Sequence, residues 1–336
     1  MQKSKLNWGI IGAGIIAEKM ADALNQNENS NLLAVASKSK ERAENFAKKN
    51  NVQLPCSYNQ IVSNKDIDII YIATTHNFHF ENAKLALEHG KHVLIEKAFT
   101  VNAGEAEILA NIARERNLFL MEAIWVRFLP SYKLIKKLLS EGIIGDIKQI
   151  NISFGNFVPP KYEKRLIDPA LAGGVTLDMG IYPISFVCYM LGEIPSEVKS
   201  MTRFSDTGVD EISDYLFKFP SGCISTINTS HKLLMRNTAI IYGTKGYIEY
   251  PDFQEGEKFL IHTHDGTNKI KSIKEIIEKN HKNGFIYQVE EVVKCINEGK
   301  TESSIIPVQE TIDIMKVMDG MRDEWGFKYP FEKLKK

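Results

Sequence analysis

The stretch from Leu6 to Leu24, LNWGIIGAGIIAEKMADAL, limits what this chain can fold into more than any other. Residues 6–11 are apolar enough for a buried parallel strand, and the apolar spacing over 15–24 predicts an amphipathic helix. Between them Gly12, Gly14 and Ala17 complete the pattern G-x-G-x-x-G/A. Gly12 permits a tight turn, Gly14 lets backbone approach a pyrophosphate, and the small Ala17 lets the helix pack closely on the strand. The first helical N–H groups, around Ile15 and Ile16, then face an anion. Such glycines also occur in plain packing turns. Here the strand before them and the helix after them point to a dinucleotide.

A chain of 336 residues has room for two domains, each with its own core. Forty-two basic residues balance forty-two acidic ones, so there is no electrostatic footprint for nucleic acid and no polybasic stripe for a membrane. Lys3 and Lys5 before an apolar run mimic a secretory signal, but that run is the glycine motif itself, and Glu18 and Lys19 stand where a cleavage site belongs. No apolar stretch approaches the length of a membrane span. The cysteines, Cys56, Cys188, Cys223 and Cys295, are scattered without a C-x-x-C pair, which suits reduced thiols and a cytoplasmic location.

After the first helix, residues 32–36 read as a strand that runs into Ser37-Lys38-Ser39. An acidic residue in this place takes the adenosine ribose hydroxyls of NAD and repels a 2′-phosphate. Ser37 and Lys38 instead suit that phosphate, so the expected cofactor is NADP in preference to NAD. The alternative is an ordinary polar loop in which Ser39 caps the next helix. Residues 67–73 form a further buried strand, and the loop after it, with Thr74, Asn77 and His79, should face the cofactor crevice. His79 is equally suited to capping the following helix. Strand 92–96 leads into Glu96-Lys97, Asn102 with Glu105 reads as a helix cap, and a last strand covers 119–121. The alternation makes residues 1–122 one doubly wound, Rossmann-type parallel sheet with helices.

Beyond it the period changes. Ile150, Ile152 and Phe154 alternate with polar residues, as in a sheet with one wet face. Strands near 197–204, 214–219, 223–230, 238–242 and 246–250 follow, separated by short turns, with helices near 131–140, 176–190, 286–298 and 308–322. Residues 123–336 are thus expected to form an α+β domain on a largely antiparallel sheet.

Three segments together carry a resemblance: Gly12 to Ala17, Gly90-Lys91-His92-Val93-Leu94-Ile95-Glu96-Lys97, and Gly173-Gly174-Val175-Thr176-Leu177-Asp178-Met179-Gly180-Ile181-Tyr182. They resemble the glucose-fructose oxidoreductase (Gfo/Idh/MocA) family over nearly the whole chain. Residues 121–128, MEAIWVRF, are similar to the branch that includes dimeric dihydrodiol dehydrogenase and D-xylose dehydrogenases. The resemblance implies an NAD(P)-dependent dehydrogenase for sugars, polyols or cyclic diols and a homodimer formed through the sheet. It also implies a catalytic lysine at Lys97, a tyrosine at Tyr182 and an aspartate at Asp178. One departure is Ala98, where the family pattern has a proline after the lysine.

The same residues can be read for their chemistry, although only the cofactor motif and the family pattern favour them over a plainer reading. Moving a hydride from a carbinol to nicotinamide requires a group that takes the hydroxyl proton. Tyr182 can do so when a lysine cation such as Lys97 favours its phenolate. Asp178, four residues before Tyr182, shares its face if the segment is helical, and can orient Lys97 or hold a substrate hydroxyl. The plainer reading is a structural hydrogen-bonded pair beside a glycine turn and a solvated lysine. Trp125, Arg127 and Phe128 offer an apolar wall and one donor for substrate, or else interface packing. Tyr162 and Arg165 lie on a loop suited to closing over substrate. No metal is expected, since His262 with His264 and His89 with His92 each want a third ligand. Two other functions compete: a non-catalytic NADP-binding redox-sensing regulator, and an imine- or bilin-type reductase.

Overall fold

The glycine-flanked strand β1 (Leu6–Ile11) lies inside a six-stranded sheet with the order β3-β2-β1-β4-β5-β6. The other strands are β2 (Ser30–Ala36), β3 (Leu54–Cys56), β4 (Ile69–Ile72), β5 (His92–Glu96) and β6 (Leu120–Ala123), and every pairing is parallel. Helices α1 (Ile15–Gln26), α2 (Lys40–Asn50), α3 (Tyr58–Ser63), α4 (His79–Glu88) and α5 (Ala103–Glu115) connect them. The computed structural model describes residues 5–267 and 269–334, and the side chains of all of these except 160–163, 333 and 334. Strand order reverses between β1 and β4, which is where such sheets open a crevice at their carboxyl ends. Trp8, Ile10, Ile70, Ile72, Leu94 and Ile95 are fully buried, as a sheet covered on both faces requires. The helix starts follow their caps: Ser39 accepts from Arg42 N, Asn102 from Glu105 N, and Ser57 with Gln60 forms a capping box. The short β3 and α3 carry too few residues for a period and were not expected.

Along the rest of the chain come α6 (Pro130–Ser140), β7 (Ile147–Gly155), α7 (Pro160–Ile167), α8 (Ile181–Leu191), β8 (Glu197–Phe204), β9 (Asp210–Lys218) and β10 (Ile224–Ser230). They are followed by β11 (Thr238–Gly243), β12 (Gly246–Tyr250), β13 (Lys258–His264), β14 (Ile270–Ile277), α9 (Phe285–Asn297) and α10 (Val308–Glu324). Strands β7 to β14 build an eight-stranded sheet with the order β14-β13-β12-β11-β7-β10-β9-β8, antiparallel except for the β7–β10 pair. Ile150, Ile152 and Phe154 point into a core with Tyr132, Phe186, Tyr250 and Phe253. Each buried side chain of this size contributes roughly 1.5–3 kcal/mol. Strands β13 and β14 escaped the sequence reading. All but one residue of β14, an edge strand, are exposed, so burial imposes no alternation there.

The chain divides into two compact units, Met1–Trp125 with His281–Met315, and Val126–Asn280 with Lys316–Lys336. The sequence division at 122/123 placed 281–315 in the second. In the first unit α9 packs along α1, and its Phe285, Val289, Val292 and Val293 are buried. A cut by sequence order cannot register such a return. One expectation is corrected: the helical stretch Pro169–Leu191 is long and apolar enough by composition to cross a membrane. Since 89% of its most apolar window is buried, its hydropathy reflects a core position. Within it Thr176–Gly180 is one turn of π-helix before α8, where plain α-helix was expected.

Candidate active site

In the first unit the functional side chains hang from the carboxyl ends of β1, β2, β4 and β5. Gly12 has φ of 113°, and a Cβ there would lie 2.4 Å from Ala73 O, so only glycine lets the two strand ends close together. Gly14 starts α1 without a side-chain cap, and a Cβ there would meet nothing within 4 Å. The first N–H groups of α1, from Ile15 and Ile16, therefore open onto space that suits an anion, while Ala17 is fully buried behind them. At the end of β2 the Lys38 ammonium sits 3.6 Å from the centre of the Phe78 ring. Arg42, on the first turn of α2, donates from Nη2 to Ala13 O at 3.2 Å, which brings a guanidinium to the glycine loop. Ser37, the residue before Lys38, is half-buried.

The residue after β5 is held by its main chain. Lys97 N donates to Glu96 Oε2 at 3.2 Å, and Glu96 in turn accepts from the Tyr71 hydroxyl. His76 Nε2 donates to Lys97 O at 3.2 Å, and His79 Nδ1 lies 2.9 Å from Ala98 O. Phe99 N donates to Glu122 Oε1 at 2.9 Å, and the Thr311 hydroxyl donates to Glu122 Oε2 at 3.2 Å. The Lys97–Ala98 peptide is cis, and Ala98 is fully buried. His79 is itself fully buried, and its side chain does not cap α4, whose N-cap is Phe78; its Nε2 faces Thr74 O at 3.1 Å. Burial pushes its pKa down to about 4, so the neutral ring has one N–H to share between two carbonyls. On the neighbouring loop the Thr75 hydroxyl donates to Asn77 Oδ1 at 2.7 Å. Trp125 is buried against Phe285, ring centres 5.5 Å apart.

In the second unit Asp178 stands on the π-helical turn and Tyr182 one turn later on α8. The turn is anchored from beneath by Asp210, which accepts from Thr176 N at 2.7 Å and Thr176 Oγ1 at 2.5 Å. Burial raises the pKa of Asp210, against the pull of the Thr176 hydrogen bonds. Asp178 Oδ1 meets Arg165 Nη2 at 3.1 Å, and Asp178 Oδ2 lies 3.4 Å from Nε2 of the buried His231. The structure thus brings Arg165 and Asp178 together. Tyr182 is largely buried, its ring edge-on to Phe154. Arg127 is 1% exposed and donates to Ser185 through Nε and Nη2, at 2.7 and 3.0 Å, with Tyr189 against its guanidinium. Phe128 is fully buried. The side chain of Tyr162 lies outside the described residues.

Residues 6–124 match the family model described as an oxidoreductase family with an NAD-binding Rossmann fold, and residues 132–249 match the GFO/IDH/MocA C-terminal domain. The chain belongs to the GFO/IDH/MocA family. Like that family it is an NAD(P)-dependent oxidoreductase. It is 31% identical to a trans-1,2-dihydrobenzene-1,2-diol dehydrogenase from Xenopus tropicalis, over 96% of this chain and 99% of the relative. It is 32% identical to a D-xylose 1-dehydrogenase (NADP(+)) from Hypocrea jecorina, over 97% and 93%. In fold it is similar to a 3-ketoreductase from Actinomadura kijaniata solved with NADP and TDP-benzene. The TM-score is 0.85 at 23% identity, covering 95% of this chain and 98% of that one.

Several residues described above escaped the sequence reading. Arg42 was findable, because the first turn of the helix after β2 lies beside the Ser37-Lys38 loop. Glu122 is a lone acid in the buried strand Leu-Met-Glu-Ala, a signal in itself. His231 continues the inward row of Ser225, Ile227 and Thr229 on β10, a period of two that one more step would have extended.

Proposed function

We propose that this oxidoreductase transfers a hydride between NADP and the hydroxyl- or carbonyl-bearing carbon of a sugar, polyol or cyclic diol, with Lys97 and Tyr182 in proton transfer and Asp178 and Arg165 binding substrate. The observation that carries the reading is the grip on the 97–99 main chain, which fixes where the Lys97 side chain starts. The names of the two relatives above supply the substrate class. Gly12, Gly14, Ile15, Ile16 and Ala17 would hold the pyrophosphate, and Ser37, Lys38 and Arg42 the 2′-phosphate that favours NADP over NAD. NADP, when bound, supplies or accepts the hydride. The Tyr182 phenolate takes the proton from the reacting oxygen, and in the reverse direction its hydroxyl returns it. The Lys97 ammonium stabilises the negative charge that develops there.

Titrating cofactor-stripped protein with NADPH and NADH by fluorescence, and then adding aldoses, inositols and cyclic diols with NADP, tests this. Tighter binding of NADPH, weakened roughly tenfold or more in Arg42→Ala with NADH binding unchanged, is expected. Lys97→Ala and Tyr182→Phe should each lower turnover on the order of 10²- to 10⁴-fold. Activity retained in both variants overturns the proton-transfer assignment. Tight NADPH binding with no turnover across the panel favours the regulatory reading.

A further inference from the structure

His231 follows the last residue of β10 and is 2% exposed. Its main chain is tied on both sides: its N–H donates to Glu211 O at 3.1 Å, and its carbonyl accepts from Val158 N at 3.0 Å. Neither ring nitrogen has a hydrogen-bond partner among the described residues, which is uncommon for a buried imidazole. Three acidic residues share its surroundings. Asp210 is already committed to both polar groups of Thr176. Glu211, on the same strand β9, is taken up by Arg203 at 3.3 Å and Lys232 at 3.9 Å. The side-chain contact the structure gives is with Asp178, whose Oδ2 lies 3.4 Å from His231 Nε2, a separation that a small ring rotation converts into a hydrogen bond. On its other side Asp178 meets Arg165, whose side chain is 47% exposed, and a pair screened by water fixes a carboxylate only weakly.

We infer that His231 is a positioning residue for Asp178: from its buried seat it fixes the carboxylate so that Asp178 and Arg165 present one defined arrangement to a substrate hydroxyl. The inference rests on the proposed role of Asp178 in substrate binding. It assigns the buried imidazole no contact with substrate or cofactor, so its effect must pass through Asp178.

The test compares wild type with His231→Leu, which keeps bulk without a donor, His231→Gln, which restores a donor, Asp178→Asn and the double variant Asp178→Asn/His231→Leu. His231→Leu should lower kcat/KM on the order of 10- to 100-fold, chiefly by raising the substrate KM, with NADPH affinity unchanged. His231→Gln should recover most of that loss. In the Asp178→Asn background His231→Leu should cost nothing further, because a residue that acts only through another is non-additive with it. Independent, multiplying losses, or a glutamine variant as impaired as the leucine one, overturn the inference. A second readout needs no turnover: in long-range ¹H–¹⁵N spectra of histidine-labelled protein, the signals missing from His231→Gln identify His231. They should shift in Asp178→Asn; if they do not, the pairing is overturned. If they shift while the wild type turns over nothing in the panel, His231 still positions Asp178, and only the substrate reading falls.

Discussion

Four side chains close on three consecutive peptide groups around Lys97: Glu96 on its N–H, His76 on its carbonyl, His79 on the carbonyl of Ala98 and Glu122 on the N–H of Phe99. Buried main-chain groups need partners, and here the partners come from β5, the loop after β4 and β6. His79 has a measurable signature. Burial lowers its folded pKa to about 4, below the roughly 6.5 of an unfolded histidine. As pH falls, the unfolded chain therefore binds the proton first. The stability that neutral His79 contributes is fully present above about pH 6.5 and is lost as pH falls through about 4. From pH 7 to 5 the loss is about 2 kcal/mol. Urea unfolding at the two pH values should show this loss in wild type but not in His79→Asn, where the amide keeps a donor for Ala98 O without titrating. Equal losses in the two proteins would mean that the imidazole is not held neutral.

At the scale of elements, the turn that presents Asp178 depends on a close approach between a glycine and a buried acid. Gly174 has φ of 124°, and a Cβ there would lie 2.1 Å from Asp210 Oδ1. Asp210 cannot retreat without abandoning Thr176 N and Oγ1, and Thr176 Oγ1 is also bonded to the Tyr215 hydroxyl at 2.7 Å. Gly174→Ala should therefore destabilise by about 2–4 kcal/mol, combining left-handed strain with an overpacked contact. Gly208→Ala is the control, since Gly208 has φ of 86° and open space around a Cβ; it should cost only about 1–2 kcal/mol. Denaturant melts of both decide it, and equal costs would show that the Asp210 contact is not rigid. The same anchoring explains why a segment that reads as α-helix begins with a π-helical turn. The partners of Thr176 lie on β9, more than thirty residues along the chain.

For the molecule as a whole, one face of the eight-stranded sheet carries several exposed apolar side chains. Met201, Leu216, Ile224, Ile273 and Ile277 are exposed on it, with Tyr242 and Tyr247 between them and Tyr247 stacked on His262. Exposed apolar residues gathered on one sheet face suit association, and we propose that a second copy of the chain covers it. Sedimentation velocity should show a dimer that Met201→Glu with Ile224→Glu converts to monomer; a monomeric wild type would end the proposal.

The sequence by itself determined the nucleotide-binding loop, the parallel sheet and the alternating strands that begin at β7. Each is written in neighbouring residues: two glycines and an alanine at fixed spacing, apolar runs, and a period of two. Only the tertiary structure decided that residues 281–315 belong with the first unit, that Arg127 donates to Ser185, and that His231 faces Asp178. Those outcomes depend on which side chains meet across dozens of residues, and local periodicity carries no record of a partner that far away.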